Sequence, residues 1–418
     1  MLEPLFTYYA GKELKRMQFS ERDDSVEKSI ISYGSKHSAL PLYAHIPFCK
    51  SLCPFCSFNR YPFNETKVRS YYTQLSKELE LYAEKGYKFC SLSIGGGTPT
   101  VQMDELALFI DKAKSTLDIK DIDVESTPIE INDKLVETLR SCGVKRLSIG
   151  VQSFDDALLK ELGRSGYKGS EALEKIKIVS GKFDTVGIDL IFNFPAQNED
   201  SFLKDIGLFK SCGADQATFY PIMPGPHKST LIERKFKETI SQNISGSKRE
   251  KRFYDIIKSN LMADGYHPLS VWCFSKKQTD IDEYIVANPE YVGIGSGSIT
   301  LLNNAVYVNS FSLKRYSKYV SDGSFPIIKY RMLNRREYYI YKLLISLFSM
   351  GIAKPEKGSE ESKVIGKEIR LLRLFGTIRS DGDMFRVTEK GMYNISVMMQ
   401  EFLREINNLR ETCIEMQI

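Results

Sequence analysis

Short apolar runs alternate with amphipathic stretches along the first half of the chain. At 65–84, apolar residues recur every three or four positions from Val68 to Tyr82, which predicts a helix. Other helices are predicted at 103–115 and 132–141. The predicted strands are 42–46, 89–94, 122–125, 146–151, 186–191 and 216–220. Six such units in a row predict a parallel sheet covered by helices.

Six units rather than eight favour an α/β fold with an open, partial (β/α)6 barrel of TIM-like type. The alternation stops near 265–280, so a smaller C-terminal α+β domain is expected. Its predicted parts are a glycine-rich run at 291–300, a helix at 335–350, a helix-and-hairpin module at 361–391 and a final helix at 392–411. The predicted division is an N-terminal extension at 1–40, the partial barrel at 41–270 and a substrate-covering domain at 271–418.

The composition is typical of a globular protein, with 42% hydrophobic and 27% charged residues and a net charge of +5. No apolar run is long enough to cross a bilayer, and no secretory leader is predicted. Basic residues are interleaved with acidic ones, so nothing indicates nucleic-acid or membrane binding. Eight cysteines in 418 residues do not form a disulfide scaffold, so we expect a reducing, cytoplasmic location.

Three cysteines lie within eight residues in a Cys-x3-Cys-x2-Cys spacing: Cys49, Cys53 and Cys56. Thiolates are the usual ligands of iron–sulfur clusters, and three of them leave one iron of a [4Fe–4S] cluster open to a small molecule. Zinc and plain burial are the alternatives. Structural zinc normally takes four ligands in two separated pairs, and no second CxxC pair occurs in the chain. The spacing therefore favours the cluster.

This motif resembles that of the radical S-adenosylmethionine (SAM) superfamily, which implies the partial barrel of radical SAM type. In that superfamily the open iron binds SAM, and reductive cleavage releases a 5′-deoxyadenosyl radical. The preceding run from Tyr43 to Cys49 resembles the branch of oxygen-independent coproporphyrinogen oxidase. Membership of that branch implies two SAM molecules per chain and an external donor such as flavodoxin or ferredoxin.

Polar and glycine residues follow the predicted strands, where function gathers in such folds. The glycine run beginning at Gly95 lets backbone groups approach a ligand closely. Asp189 stands inside an apolar strand and needs a donor, which a ribose would supply. Arg164 is suited to clamp a carboxylate through two hydrogen bonds. An internal salt bridge between Arg164 and Asp189 is the alternative.

The resemblance also implies roles for individual residues. Ile299 matches a backbone contact to adenine, and Pro221 stands where the branch often has alanine. The positions that match contacts to the first SAM are Tyr43, Gly96 and Glu125. Those that match contacts to the second are Phe55, Gly97, Thr98, Gln152, Arg164 and Asp189.

Within the branch, three segments resemble the haem-utilisation radical SAM methyltransferases, the anaerobilin synthases. They are 219–223, 271–275 with 282–285, and the tail from 391 to 410, which includes an Asn-Asn-Leu-Arg run at 407–410. This resemblance implies C-methylation and radical opening of haem by a SAM-derived carbon. A coproporphyrinogen-oxidase-like enzyme, a methylase or cyclopropanase of a non-porphyrin substrate, and a haem chaperone remain alternatives. The chaperone group carries a His-Asn-x-x-Tyr-Trp stretch, and this chain has no His-Asn pair.

A flat, anionic, conjugated ring is the expected substrate, with haem as the leading candidate. Trp272, Phe274 and Met223 are expected to face the cleft and stack on the ring. Lysines close to them in sequence are expected to meet propionates; these are Lys228, Lys276 and Lys277. The alternative is that these side chains form a small satellite core with a basic rim.

Overall fold

A computed structural model describes residues 18–34, 39–241, 246–277 and 288–418. The segment at 282–285 and most of the predicted N-terminal extension lie outside these ranges. The strands are β1 (Ser20–Glu21), β2 (Leu40–Ile46), β3 (Phe48–Cys49), β4 (Tyr61–Pro62), β5 (Phe89–Gly96), β6 (Asp121–Ser126), β7 (Arg146–Gln152), β8 (Thr185–Phe192), β9 (Gln216–Pro221), β10 (His267–Pro268), β11 (Cys273–Ser275), β12 (Val292–Ile294), β13 (Ile299–Leu302), β14 (Ala305–Asn309), β15 (Ile327–Met332), β16 (Gly351–Ala353), β17 (Ile378–Asp381) and β18 (Met384–Val387).

Helices cover the sheet and build most of the C-terminal part. They are α1 (Asp24–Gly34), α2 (Glu65–Glu84), α3 (Met103–Leu117), α4 (Asp133–Ser141), α5 (Asp156–Glu161), α6 (Gly169–Val179), α7 (Glu199–Ser211), α8 (Leu231–Ser241), α9 (Lys248–Ala263), α10 (Leu313–Ser321), α11 (Arg335–Phe348), α12 (Glu360–Leu374) and α13 (Glu389–Glu415). Asparagine side chains cap several of them. Asn64, for example, accepts a hydrogen bond from the amide of Lys67 at the start of α2.

The six predicted strands are confirmed and form the parallel core of one sheet in the order β2-β5-β6-β7-β8-β9. Every residue of β2 is buried, because helices cover one face and the barrel interior the other. Helices α2, α3, α4, α6 and α7 alternate with the strands, as the α/β prediction requires. All six carboxyl ends therefore lie along the same edge.

Residues beyond the sixth strand extend this sheet at both edges. The short strand β12 pairs in parallel with β2, with Val292 opposite Leu42, and so adds a seventh parallel strand. At the other edge β11 pairs antiparallel with β9, and β10 with β11. The glycine-rich run beginning at residue 291 is thus partly a strand of the barrel sheet, which its composition did not predict.

The rest of the C-terminal part packs over the carboxyl ends of the strands. It contains the antiparallel strands β15-β14-β13, to which β1 of the N-terminal extension adds an edge strand, a small sheet β16-β18-β17 and the 27-residue helix α13. Helix α13 is fixed to the barrel where Trp272 Nε1 donates to Ser396 Oγ at 2.7 Å. Across the described ranges, no helix combines the length and apolar character needed to cross a bilayer.

Candidate functional site

The cysteine motif lies in a loop closed at its base by two short strands. We call residues 49–60 the cluster loop. Strand β3 ends at Cys49 and pairs with β4, where Phe48 lies opposite Tyr61. The amide of Tyr61 also donates to the carbonyl of Pro47 at 2.6 Å. The three cysteines are therefore held on a single short loop directly after the carboxyl end of β2.

Two neighbouring segments approach this loop so closely that only glycine fits. A Cβ atom on Gly225, after β9, would lie 2.6 Å from the carbonyl oxygen of Cys56. A Cβ on Gly163, after α5, would lie 2.7 Å from Cδ of Pro54, and Gly163 has a φ of +72°. These glycines let the exits of β7 and β9 pack against both sides of the cluster loop.

The thiols lie in a buried setting next to two cationic side chains. Burial raises the pKa of Cys49 to about 12, and the neighbouring Cys56 adds to the rise, while a hydrogen bond from Thr98 and the charge of Arg164 oppose it. Burial also raises the pKa of Cys56, against the opposing charges of Arg60 and Arg164. Binding of a metal would therefore require these thiols to lose their protons.

The three thiols are the type of donor that an iron–sulfur cluster uses. A cubane places each cysteine on a different iron, so the ligands need not converge. The charges of Arg60 and Arg164 also favour the thiolate forms that a cluster requires.

The segment after β5 joins the cluster loop to β6. The amide of Gly96 donates to Oε2 of Glu125 at 3.1 Å. The amide of Gly97 donates to the carbonyl of Ile46, and that of Thr98 to the carbonyl of Phe48, both at 2.8 Å. The structure thereby brings Gly96, Gly97, Thr98 and Glu125 together beside the first cysteine.

A second group lies at the ends of β7 and β8. Gly150 lies opposite Asp189 in the strand pairing, and β7 ends at Gln152 with a φ of 72°. A Cβ on Gly150 would lie 2.9 Å from Nε2 of Gln152 and 3.4 Å from Nη2 of Arg164. The guanidinium carbon of Arg164 lies 5.9 Å from the ring centre of Phe55 in the cluster loop. Gln152, Arg164, Asp189 and Phe55 are thus neighbours.

Tyr43 belongs to a hydrogen-bonded chain with His45. Burial lowers the pKa of His45 to about 4, so the imidazole is neutral at pH 7. Its Nε2 lies 2.9 Å from the carbonyl of Asn59, which only accepts, so Nε2 carries the proton. Nδ1 then accepts from the hydroxyl of Tyr43 at 3.0 Å. This tautomer fixes the orientation of the Tyr43 hydroxyl.

Tyr43 and Ile299 both line a cavity of about 60 Å³ between the strand ends and α13. Its walls are mostly aromatic and aliphatic. They are formed by Phe19, Tyr43, His45, Phe58, Tyr291, Gly297, Ser298, Ile299, Leu301, Val306, Leu333, Tyr341, Phe402, Leu403, Ile406 and Arg410. The cavity therefore connects two predicted SAM contacts with the C-terminal helix.

Two residues at this end of the molecule escaped prediction. Glu78 of α2 is fully buried and accepts hydrogen bonds from the Gly295 amide, Asn309 Nδ2 and the Tyr316 hydroxyl at 2.6–2.7 Å. It fixes the glycine-rich loop that leads to Ile299. Arg410 of α13 lies over the ring of Phe58 in the cluster loop. The Asn-Asn-Leu-Arg run was a signal for Arg410, and no local signal marked Glu78.

The expected role of Trp272 and Phe274 in substrate stacking is wrong. The side chain of Trp272 is 1% exposed, packs on Phe348 and bonds to Ser396 of α13, while Phe274 packs on Phe219. Both belong to the main hydrophobic core, into which Met223 also packs. The core alternative, rather than a ring-binding platform, describes these residues.

The expected lysine contacts with propionates are also wrong for two of the three residues. Because β11 runs antiparallel to β9, its end lies at the amino edge of the sheet, opposite the cluster loop. Lys277 pairs there with Asp215 at 2.6 Å, and Lys276 lies over the ring of Tyr266. Lys228 lies on the correct side but is bound by Glu411 and Glu415 of α13.

Comparison with known proteins shows what this chain is similar to. Residues 43–209 match the family model of the radical SAM superfamily. The haem chaperone HemW of Bacillus subtilis is 28% identical over 68% of this chain and 76% of its own length. The anaerobilin synthase of Escherichia coli O157:H7 is 23% identical over 69% of this chain and 66% of its own.

A solved structure has a similar fold over most of the chain. Coproporphyrinogen III oxidase (HemN) from Escherichia coli superposes with a TM-score of 0.76, at 20% identity, over 92% of this chain and 95% of that one. The chain therefore carries a radical SAM domain, and the expectation of a barrel of radical SAM type is confirmed. Its fold is similar to that of HemN, and its sequence is similar to those of the haem chaperone and the anaerobilin synthase named above.

Proposed function

We propose that this protein uses a [4Fe–4S] cluster and two SAM molecules to transfer a SAM-derived carbon to a tetrapyrrole. Haem is the leading substrate, and opening of the macrocycle follows the transfer. The observation that carries the proposal is the arrangement of two groups of polar residues around one cysteine loop, beneath an aromatic cavity. A flavodoxin or ferredoxin in the cytoplasm would supply the electrons.

The cluster loop would hold the cluster through Cys49, Cys53 and Cys56. When bound, the cluster supplies the electron that cleaves SAM. The chain contributes the electrostatics of the loop: Thr98 donates to the sulfur of Cys49, and Arg164 favours the thiolate forms of Cys49 and Cys56. Hydrogen bonds and nearby charge are the means by which a protein tunes such a centre.

The two polar groups support two SAM sites. Gly96 and Glu125 lie at the ends of β5 and β6, and Tyr43, within β2, lines the cavity together with Ile299. In the second group, Gly97 and Thr98 follow β5, Gln152 ends β7 and Asp189 lies within β8. Phe55 lies in the cluster loop and Arg164 follows α5. The guanidinium of Arg164 suits a carboxylate and the carboxylate of Asp189 suits a ribose. One SAM at the iron would not need both groups.

The apolar surfaces on the two sides of the cavity support a flat, conjugated substrate, which would enter when α13 moves away from the strand ends. Helix α13 contributes Phe402 and Ile406 to the cavity, and the barrel side contributes Phe58 and Tyr291. Aromatic walls pack well against a conjugated ring. A roof of apolar side chains also excludes water and stray hydrogen donors from radical chemistry.

A haem chaperone is the second candidate, and the similarity to HemW of Bacillus subtilis favours it. A chaperone would bind haem without consuming SAM on it. The chain lacks the His-Asn pair of the chaperone motif, since its histidines are followed by Ser, Ile, Lys and Pro. Two further candidates are a coproporphyrinogen-oxidase-like enzyme and a methylase of a non-porphyrin substrate. They differ from the proposed enzyme and from the chaperone in substrate or product.

Haem titration combined with SAM turnover distinguishes these candidates. Haem is added to the anaerobically reconstituted protein while the Soret band is followed, and 5′-deoxyadenosine is then measured with SAM and reductant. The proposal predicts a shifted Soret band and formation of 5′-deoxyadenosine that depends on haem. Haem binding without such turnover supports the chaperone, and turnover without haem binding supports the non-porphyrin methylase. The Cys53→Ala variant is the control without turnover.

A further inference from the structure

The Asn-Asn-Leu-Arg run of α13 packs directly against the cluster loop. Asn407 is 5% exposed, and its Nδ2 donates to the carbonyl of Pro224 at 3.3 Å and to Ser57 Oγ at 3.4 Å. One turn later, Nη1 of Arg410 donates to Oδ1 of the same Asn407 at 3.1 Å. Asn407 thereby fixes the helix on the loop and orients the guanidinium of Arg410.

Among the described residues that line the cavity, Arg410 is the one charged side chain. Its guanidinium carbon lies 5.2 Å from the ring centre of Phe58, and its other cavity neighbours include Tyr291 and Ile406. Aromatic and aliphatic walls lower the local dielectric, so the attraction of a cation for an anion is stronger there than in water. The cavity thus combines apolar walls with a single guanidinium.

The charge of Arg410 reaches two groups that line the cavity. Burial lowers the pKa of His45 and raises that of Tyr291, and in both cases the charge of Arg410 pushes the pKa down. The arginines that act on the thiol of Cys56 are instead Arg60 and Arg164. Arg410 therefore lines the cavity, while Arg60 and Arg164 lie beside the thiols.

We propose that Arg410 binds a carboxylate side arm of the substrate, a propionate in the case of a tetrapyrrole. This inference rests on the proposed function, because it names the group that recognises that substrate. A guanidinium donates two parallel hydrogen bonds to a carboxylate, which fixes the orientation of the ligand as well as its charge. The carboxylate of SAM is the other possible source, and Arg164 lies on the cluster side to receive it.

The size of the cavity agrees with a side arm rather than a ring. A volume of about 60 Å³ is room for a few water molecules. A short acidic arm fits in that space, whereas a whole macrocycle enters only if α13 moves away from the strand ends. Phe402 and Ile406 lie on α13 close to Arg410, so movement of this helix would open apolar surface next to the guanidinium.

Esterification of the ligand tests this inference. Dissociation constants are measured by Soret titration of the full-length, reconstituted protein with haem and with haem dimethyl ester, in wild type and in Arg410→Gln. Wild type should bind the free acid at least about tenfold more tightly, since a charged hydrogen bond is lost in the ester. Arg410→Gln should bind both forms alike, with its affinity for the ester unchanged, and Arg410→Lys should restore part of the preference.

Arg404→Gln is the matched control, because Arg404 lies on the same helix and pairs with Glu401 at 2.8 Å. It should keep the wild-type preference for the acid. A preference that persists in Arg410→Gln overturns the inference and leaves the proposed function standing. If Arg410→Gln weakens SAM binding in equilibrium dialysis instead, the carboxylate belongs to SAM and the inference also fails. If wild type binds neither porphyrin, the proposed function fails together with the inference.

Discussion

The hydroxyl of Thr98 donates a hydrogen bond to the sulfur of Cys49, with 3.6 Å between Oγ1 and Sγ. The amide of Thr98 also donates to the carbonyl of Phe48, the residue before that cysteine. The segment after β5 and the cluster loop are therefore joined by two bonds from one residue. A residue that matches a SAM contact thus also contacts a predicted cluster ligand.

Replacement of Thr98 by valine should make the cluster harder to reduce. Valine has a similar shape but lacks the hydroxyl, so the thiolate of Cys49 loses a donor that stabilises the more negative, reduced cluster. Iron content should stay at the wild-type level, and the reduction potential from an EPR-monitored titration should become more negative. Thr100→Val is the control, because the hydroxyl of Thr100 bonds to Ser126 instead. An unchanged potential in Thr98→Val would contradict this role.

Alanine at Cys49, Cys53 or Cys56 should abolish iron binding and the visible absorbance of the cluster. The reason is that each thiolate holds a different iron, so loss of one ligand opens the cluster. Iron analysis and absorption spectra after anaerobic reconstitution are the measurement. The other cysteines serve as controls and should retain iron when changed; they are Cys90, Cys142, Cys212, Cys273 and Cys413. Loss of iron in any of these five would show that the assignment of ligands is wrong.

Two SAM molecules should bind per chain. Equilibrium dialysis of the reconstituted protein should give a stoichiometry near two, and Arg164→Gln should lower it to near one. The physical reason is that Arg164, Phe55 and Gln152 form a group separate from Tyr43 and Ile299. Iron content is measured in the same samples, because Arg164 also acts on the thiols. A single site in wild type would exclude transfer of a carbon from a second SAM.

The stability of the protein should depend on pH through Glu78. Burial raises the pKa of Glu78 to about 7, against hydrogen bonds from Tyr316, Gly295 and Asn309 that lower it. Between the unfolded value of 4.5 and about 7, the folded state holds a proton that the unfolded state has lost. The free energy of unfolding should therefore fall by about 3 kcal/mol as the pH rises through this window.

Glu78→Gln removes this titration, so the comparison of the two proteins isolates it. Urea denaturation between pH 5 and 8 should show wild type losing about 3 kcal/mol relative to Glu78→Gln, because other titrating groups cancel in the difference. Glu80 lies on the same helix and pairs with Lys112 at the surface. The free energy of unfolding of Glu80→Gln should therefore change with pH as that of wild type does. If the free energies of unfolding of Glu78→Gln and wild type change equally with pH, Glu78 does not titrate in this range.

Local patterns were sufficient for the barrel and the cluster loop. The strand β2 is buried on both faces, so its residues are apolar except for His45, and this run can be recognised without its neighbours. The spacing of the cysteines is also local. Predicted helix ends were close, as α11 covers Arg335–Phe348 where 335–350 was expected and α13 covers Glu389–Glu415 where 392–411 was expected.

Long-range pairing explains what the sequence did not predict. The strand β12 has three residues in a glycine-rich run, and its partner β2 is about 250 residues earlier, so no local periodicity marks it. Glu78 lies on a helix rich in charged residues and is buried only because Asn309 and Tyr316 reach it from the C-terminal part. Trp272 has the composition of a ring-binding residue, but its place in the core depends on Phe348 and Ser396.

Transfer of an isotopically labelled carbon is the most direct test of the proposed function. The reconstituted protein is incubated with haem, a strong reductant and SAM that carries a trideuterated methyl group, and the tetrapyrrole fraction is examined by mass spectrometry. The account predicts a tetrapyrrole whose mass includes a carbon and deuterium from SAM. The Cys53→Ala variant should give none. Haem recovered without label, while 5′-deoxyadenosine accumulates normally, would contradict the account.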